Sequence, residues 1–203
     1  MTTFSASFDT RAFDAQIKRL SEIDQYGSFG RALSRAGQSM RKQAIFEAQS
    51  VLNLKAGPIR DVVDTRRVNR GDLKADLVIT GRNQPVYEFK GVRQLGIPGR
   101  RTAGLRTRGG VSVQIKRTGA RKVIRTAFIA TMPSGKVGVF RRRINPSTGR
   151  SRTASLPIDL LFSTSVREAL EDRSMQGRIL KAGLDRFRPE LAREITRRLG
   201  GSA

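Results

Sequence analysis

The chain has 203 residues, with 40 Lys and Arg against 17 Asp and Glu, a formal charge of +23 at pH 7 and a sequence pI of about 11.8. At 37% hydrophobic residues it has enough apolar mass for a core, unlike a disordered chain, and its length suits one domain. With no Cys and no His, disulfides, thiolate chemistry, Cys- or His-ligated zinc and histidine acid–base catalysis are excluded, and so much like charge calls for a polyanion or acidic neighbours.

The N-terminal MTTFSASFDTRAF has an early acid and no apolar core segment, so it does not read as a signal peptide. No apolar run approaches the roughly 18 residues of a membrane span, and the expectation is synthesis in the cytosol. From Thr10 to Gln25, Phe13, Ile17 and Leu20 fall on one face of a helix, which Tyr26-Gly27-Ser28 is expected to break. A second helix is predicted from about Phe29 to Val51. Phe29, Leu33, Ala36, Met40 and Ala44 lie on one side of it, and Arg31, Arg35, Arg41 and Lys42 on the other. Pro58 opens a short basic helix, PIRDVVDTRR, because the missing proline N–H is not needed in a first turn. Asp61 and Asp64 on it read as ion-pair partners of Arg60, Arg66 or Arg67 rather than as metal ligands.

The middle of the chain is rich in β-formers. DLVITG (76–81) and VYEFKG (86–91) are predicted to pair as a hairpin around RNQP. GIPGRRTAGLRTRGG (96–110) has no apolar period and reads as a long, flexible basic loop. VSVQIKR (111–117) alternates Val111, Val113 and Ile115 with polar residues, a half-buried strand. Phe128–Met132 and Val137–Phe140 are expected to pair through a type I turn at Met-Pro-Ser-Gly, with a bulge or close backbone approach at Gly138.

Helix returns at the C-terminal end. Ser165-Val166-Arg167-Glu168 fits a capping box. A longer helix from about Met175 carries Ile179, Leu180, Leu184, Phe187, Leu191, Ile195 and Leu199, with a kink or a fresh helix start at Pro189 and an end at Gly200-Gly201. The predicted class is α+β, a small antiparallel β-sheet flanked by N-terminal and C-terminal helices. It forms one domain of three segments: 1–67 helical, 68–158 basic β, 159–203 helical.

Charge is laid out unevenly. No acid stands between Glu88 and Asp159, and residues 89–158 hold 17 Lys and Arg, so +17 of the +23 lies there. Arginine makes bidentate bonds to phosphate and stays charged at any relevant pH. The candidate contacts are Arg100, Arg101, Arg106 and Arg108 in the loop, Lys116 and Arg117 after a strand, and Arg141, Arg142, Arg143, Arg150 and Arg152. Arg141–Arg143 could instead be a solvated strand end that discourages sheet aggregation. Aromatic residues are only 6%, too few to interleave the basic loops for base stacking, and no helix-turn-helix, zinc-finger or RNA-recognition pattern is present. What remains is sequence-independent contact with a nucleic acid backbone or with acidic neighbours. Ser163 and Ser165 have no base partner, and GRRTAG and RTRGG lack P-loop spacing. No enzymatic activity and no cofactor are expected.

VNRGDL (68–73), AFIATMPSGKVGVFRRR (127–143), SLPIDLLFSTSVREALE (155–171) and RFRPELAREITRRL (186–199) resemble, in order and spacing over about residues 30–200, segments of the minor tail protein Z family of lambda-like phages. The resemblance implies a structural virion protein that completes the tail at the head-proximal end of the tail tube. There it would form a homo-oligomeric ring, usually six-fold, beside the tail terminator, the tube and the head–tail connector proteins, with double-stranded DNA in transit. It implies no catalytic residues and no membrane. Two alternatives from other classes are a ribosomal or RNA-packaging protein and a carboxylate-metal nuclease.

Overall fold

Phe29, Leu33, Ala36, Met40 and Ala44, at helical spacing, form the buried side of helix α1 (Glu22–Val51). The computed structural model describes residues 2–6, 22–66, 68, 73–96, 108–142 and 158–199. In it α1 runs straight through Tyr26-Gly27-Ser28, where a break was expected. Ser28 and Phe29 are buried there, and the Phe29 ring lies 6.3 Å from that of Phe187, so tertiary packing outweighs the poor helix propensity of Gly and Ser. Of the helix expected over 10–25, residues 10–21 lie outside the described residues and Glu22–Gln25 belong to α1. Before it stands a strand that the sequence pattern did not suggest, β1 (Thr2–Ala6).

Helix α2 (Ala56–Val62) has Pro58 in its first turn, as expected, but it is shorter than PIRDVVDTRR. Val62 and Val63 are both buried, and the chain passes at once into strand β2 (Val63–Thr65). β-Branched residues favour that extended state. β2 and β1 flank β3 (Ala75–Ile79), both antiparallel, with Val63 opposite Ile79 and Thr2 also opposite Ile79. VNRGDL contributes only Val68 and Leu73 to the described residues.

Ser165 immediately precedes the short helix α3 (Val166–Ala169), the position the capping box assigns to it. Helix α4 (Arg173–Leu199) starts slightly earlier than expected, with Asp172 as its N-cap: Ser174 N–H donates to Asp172 Oδ1 at 2.7 Å. It is one continuous helix with Pro189 inside it, not two. Pro189 is exposed and removes one main-chain donor, whereas Phe187, Glu190, Leu191, Glu194 and Ile195 around it are buried. That anchoring outweighs the lost hydrogen bond. α4 runs antiparallel to α1, and a Cβ on Gly183 would stand 2.6 Å from Met40 Cγ, so glycine permits their close approach. Apart from residues 49–51 of α1 and 56–58 of α2, these elements belong to the first of two compact units, drawn from residues 1–48, 59–81 and 166–203.

The second unit is drawn from residues 49–58 and 82–165. The hairpin expected between 76–81 and 86–91 does not form. Asn83–Pro85, expected to be its turn, is strand β4, paired with β11 (Phe162–Ser165). Val86–Glu88 is a 3₁₀ turn. Three residues per turn place Val86 and Phe89 on the same side, and both are buried, so these β-formers serve as a core plug rather than a strand. A second sheet has the order β5 (Arg93–Gly96), β6 (Arg108–Val113), β7 (Lys122–Ile124). β6 starts earlier than 111 and ends before Ile115; Val111 and Val113 are buried as expected. A third sheet has the order β10 (Ile158–Leu160), β9 (Val137–Arg142), β8 (Ala127–Thr131).

The β8–β9 hairpin forms as expected. Gly135 N–H donates to Met132 O at 2.8 Å, and Gly135 sits at φ +78°, where glycine is favoured. The β8–β9 register shows no bulge at Gly138. Its missing side chain leaves room for Leu160 Cδ1 and the Phe140 ring, which a Cβ would meet at 2.6 and 3.0 Å. The architecture is α+β, with helices toward both ends of the chain and four small antiparallel sheets among the described residues.

Candidate nucleic-acid interface

The two units divide the charge. The second holds 19 Lys and Arg against two acids, Glu88 and Asp159, a formal +17; the first holds 21 against 15, or +6. The arginines of the two units also differ in what they bond.

In the first unit they grip buried carboxylates. Arg178 makes a bidentate pair with Glu47, Nε to Oε1 at 2.7 Å and Nη2 to Oε2 at 2.8 Å, while Gln43 donates to the same Oε1 at 2.9 Å. Hydrogen bonds from Arg178 hold the Glu47 carboxyl below the ordinary glutamate range against the opposing effect of burial, and the same pairing raises Arg178. Glu190, 1% exposed, accepts from Arg35 and from Arg193 at 3.3 Å and forms an ion pair with Arg186 at 2.8 Å. Glu194 accepts from Arg31 at 2.8 Å and from Arg197 at 3.0 Å. Burial pushes Glu194 up, but the Arg31 hydrogen bond and the charges of Arg31 and Arg197 outweigh it and the carboxyl is lowered. Asp64 lies in β2, accepts from its neighbour Thr65 N–H at 2.8 Å and stands 3.9 Å from Arg41, while Arg66 stands 4.0 Å from Asp76; Arg67 lies outside the described residues.

In the second unit Lys55 stands 4.0 Å from Glu88, while Arg117 and Arg121 bond neutral groups. Arg117 donates its backbone N–H to Val51 O at 2.9 Å and its Nη1 to Gln49 O at 3.3 Å. Those are terminal carbonyls of α1, whose last turn carries no cation of its own, so Arg117 is a helix cap from a distant segment. Lys116 is exposed, in a β-bridge with Leu52. Arg108 opens β6, so the predicted loop is shorter at its C-terminal end. Arg141 and Arg142 lie within β9: Asp159, the first acid after the long acid-free interval, stands opposite Arg141, and Arg142 sits 5.6 Å from the centre of the Phe128 ring. Arg100, Arg101, Arg106, Arg143, Arg150 and Arg152 lie outside the described residues, as does most of 96–110.

The structure adds residues that the sequence reading passed over. Arg121 donates Nε to Ser112 Oγ at 3.1 Å and Nη2 to Gly91 O, yet its side chain is exposed. Arg93, Lys122 and Arg125 are exposed around it. The signal was present in RKVIR (121–125), where Arg121, Val123 and Arg125 alternate with Lys122 and Ile124 inside the acid-free interval.

Among the described residues no group of three or more acidic side chains is placed to hold a metal ion, and no helix is long and apolar enough to cross a membrane. A cavity of about 270 Å³ in the first unit, lined by Leu33, Ser34, Gly37, Gln38, Thr65, Arg66 and Ala75, contains no carboxylate. No family model, curated protein or solved structure matches the chain.

Proposed function

We propose that this chain is a structural virion protein of a long-tailed phage that completes the tail at its head-proximal end, presenting its basic unit to the backbone of DNA passing through the neck. The observation that carries the DNA part is the contrast between the units: the first neutralises Arg31, Arg35 and Arg178 with buried glutamates, and the second holds Arg117 and Arg121 on carbonyls and a hydroxyl and keeps a formal +17 against two acids. An excess of positive charge that the unit's two acids cannot balance is suited to a polyanion. The tail-completion part rests on the four segments that resemble the minor tail protein Z family.

The partners that follow are further copies of the chain in a six-fold ring, the tail terminator and tube proteins, the head–tail connector proteins and double-stranded DNA. Glu47, Glu190 and Glu194 are already consumed inside their own unit, so they cannot absorb the charge of a neighbouring copy. The reading is tested by imaging particles made without the protein. Tails of normal length beside filled heads that fail to join productively are expected; empty heads or absent tails would contradict it.

A further inference from the structure

The sheet β5–β6–β7 has two unlike faces. Val111 and Val113 of β6 are buried on one. On the other, Arg93, Ser112 and Val123 form one cross-strand row, because Arg93 registers with Ser112 and Ser112 with Val123. Arg93 is exposed and Val123 is 50% exposed, so this row points outward. Ser112 is nonetheless only 4% exposed, since the Arg121 guanidinium lies over it. Gly91 makes room for that guanidinium: it sits at φ +69°, and a Cβ there would stand 3.2 Å from Arg121 Nη1. Arg125 continues the alternation of Arg121 and Val123 and is exposed.

We propose that this outward face is the surface that meets the phosphate backbone of duplex DNA, with Arg121 as its pre-positioned contact and Arg93 and Arg125 beside it. The inference rests on the DNA-binding reading above and locates it. Arg121 is tied to two neutral acceptors, so it keeps its full charge while much of its side-chain freedom is already lost before a ligand arrives. β5 and β7 are two strand spacings apart, about 10 Å, so Arg93 in β5 and Arg121 and Arg125, which flank β7, engage separate phosphates. None of the three strands contains an acid or an aromatic residue. Without an acid nothing in the sheet repels a phosphate, and without an aromatic there is no platform for unpaired bases, which selects a duplex over a single strand.

The test uses the full chain and a random-sequence DNA duplex, with log affinity followed against log salt. Each lost phosphate contact removes about 0.9 from the slope. Arg93→Gln/Arg125→Gln, which leaves the Arg121 bonds intact, is expected to lower the slope by about two contacts' worth, and adding Arg121→Gln by about three. Lys136→Gln, at the exposed β8–β9 turn of the same unit, is expected to change it by less than about half a unit. If wild type binds with a steep slope and the Arg93/Arg125 variant keeps that slope with an unchanged melting temperature, this face is the wrong surface while the DNA-binding reading stands. If wild type shows no salt-dependent binding to the duplex, both fall. Tighter binding to duplex RNA than to duplex DNA at equal salt would overturn the choice of partner.

Discussion

Glu190 shows how one residue ties the first unit together. It is buried and ringed by Arg35, Arg186 and Arg193, all about half exposed. Removing the carboxylate leaves three arginines without a shared anion at the α1–α4 contact. Breaking a buried pair in this way costs about 3 kcal/mol, toward the low end of the usual range because the arginines reach water. Glu190→Ala should therefore lower stability in urea by about that amount, whereas Lys136→Ala, at an exposed turn, should stay within about 0.5 kcal/mol. A comparable loss from both would deny Glu190 its special place.

Acid should attack the same network. The folded carboxyls of Glu47 and Glu194 titrate below the ordinary value of 4.5, so the unfolded chain binds protons first as pH falls. Their contribution is full above about pH 4.5 and is lost as pH drops through the folded values. With no histidine to titrate, the melting temperature should be nearly flat from about pH 8 to 5 and fall below about 4.5, with Glu47→Gln flattening part of that fall. A steep change between pH 6 and 7 would contradict this. None of the pairing was legible in the sequence. Arg31 and Arg35 read only as lying on the side of the helix away from its apolar residues, and their partners lie 163 and 155 residues away on a helix whose orientation no local pattern specifies.

At the level of elements, patterns closed by a short turn were legible and patterns closed by distant segments were not. Met132–Gly135 supplies its own hydrogen bond, so β8–β9 was readable from the turn residues alone. β3 takes partners from residues 2–6 and 63–65, and β4 from residues 162–165, so the neat local hairpin over 76–91 was an illusion of proximity. The glycines after the basic loop carried a misread signal. Gly110 sits at φ +98°, and a Cβ there would lie 2.6 Å from Arg125 Cα and Ile124 O. Backbone cannot yield as a side chain can, so Gly110→Ala should destabilise the β6–β7 pairing by about 2 kcal/mol or more, read as lost amide protection in 122–124. Gly135→Ala, with open space around it, should cost only the strain of its backbone, about 1 kcal/mol. Equal effects would mean that close approach does not matter at Gly110. Arg117→Ala should fray the last turn of α1, costing about 0.5–1 kcal/mol and lowering amide protection near Val51. Unchanged protection would return Arg117 to the pool of free cations.

Across the whole molecule, the charge division was the most legible feature. The acid-free interval 89–158 falls within the second unit, and the formal +17 read from the sequence is that unit's charge. Which cations are spoken for was not legible, because that depends on carbonyls, a hydroxyl and a ring that no charge pattern reveals. The proposed tail-completion function predicts that a reconstruction of the phage neck shows the chain as a closed ring, six-fold, with the second unit toward the DNA path; a single copy, or a ring with that unit turned away from the lumen, would contradict that proposal.

The most direct measurement takes the purified full chain and two duplexes of unrelated sequence, with affinity read from about 50 to 200 mM salt. The account predicts equal affinity for both duplexes and a straight log–log line that loses about 0.9 in slope for every phosphate contact removed. A flat line, or a marked preference for one sequence, would contradict the claim that the basic unit is built for the DNA backbone.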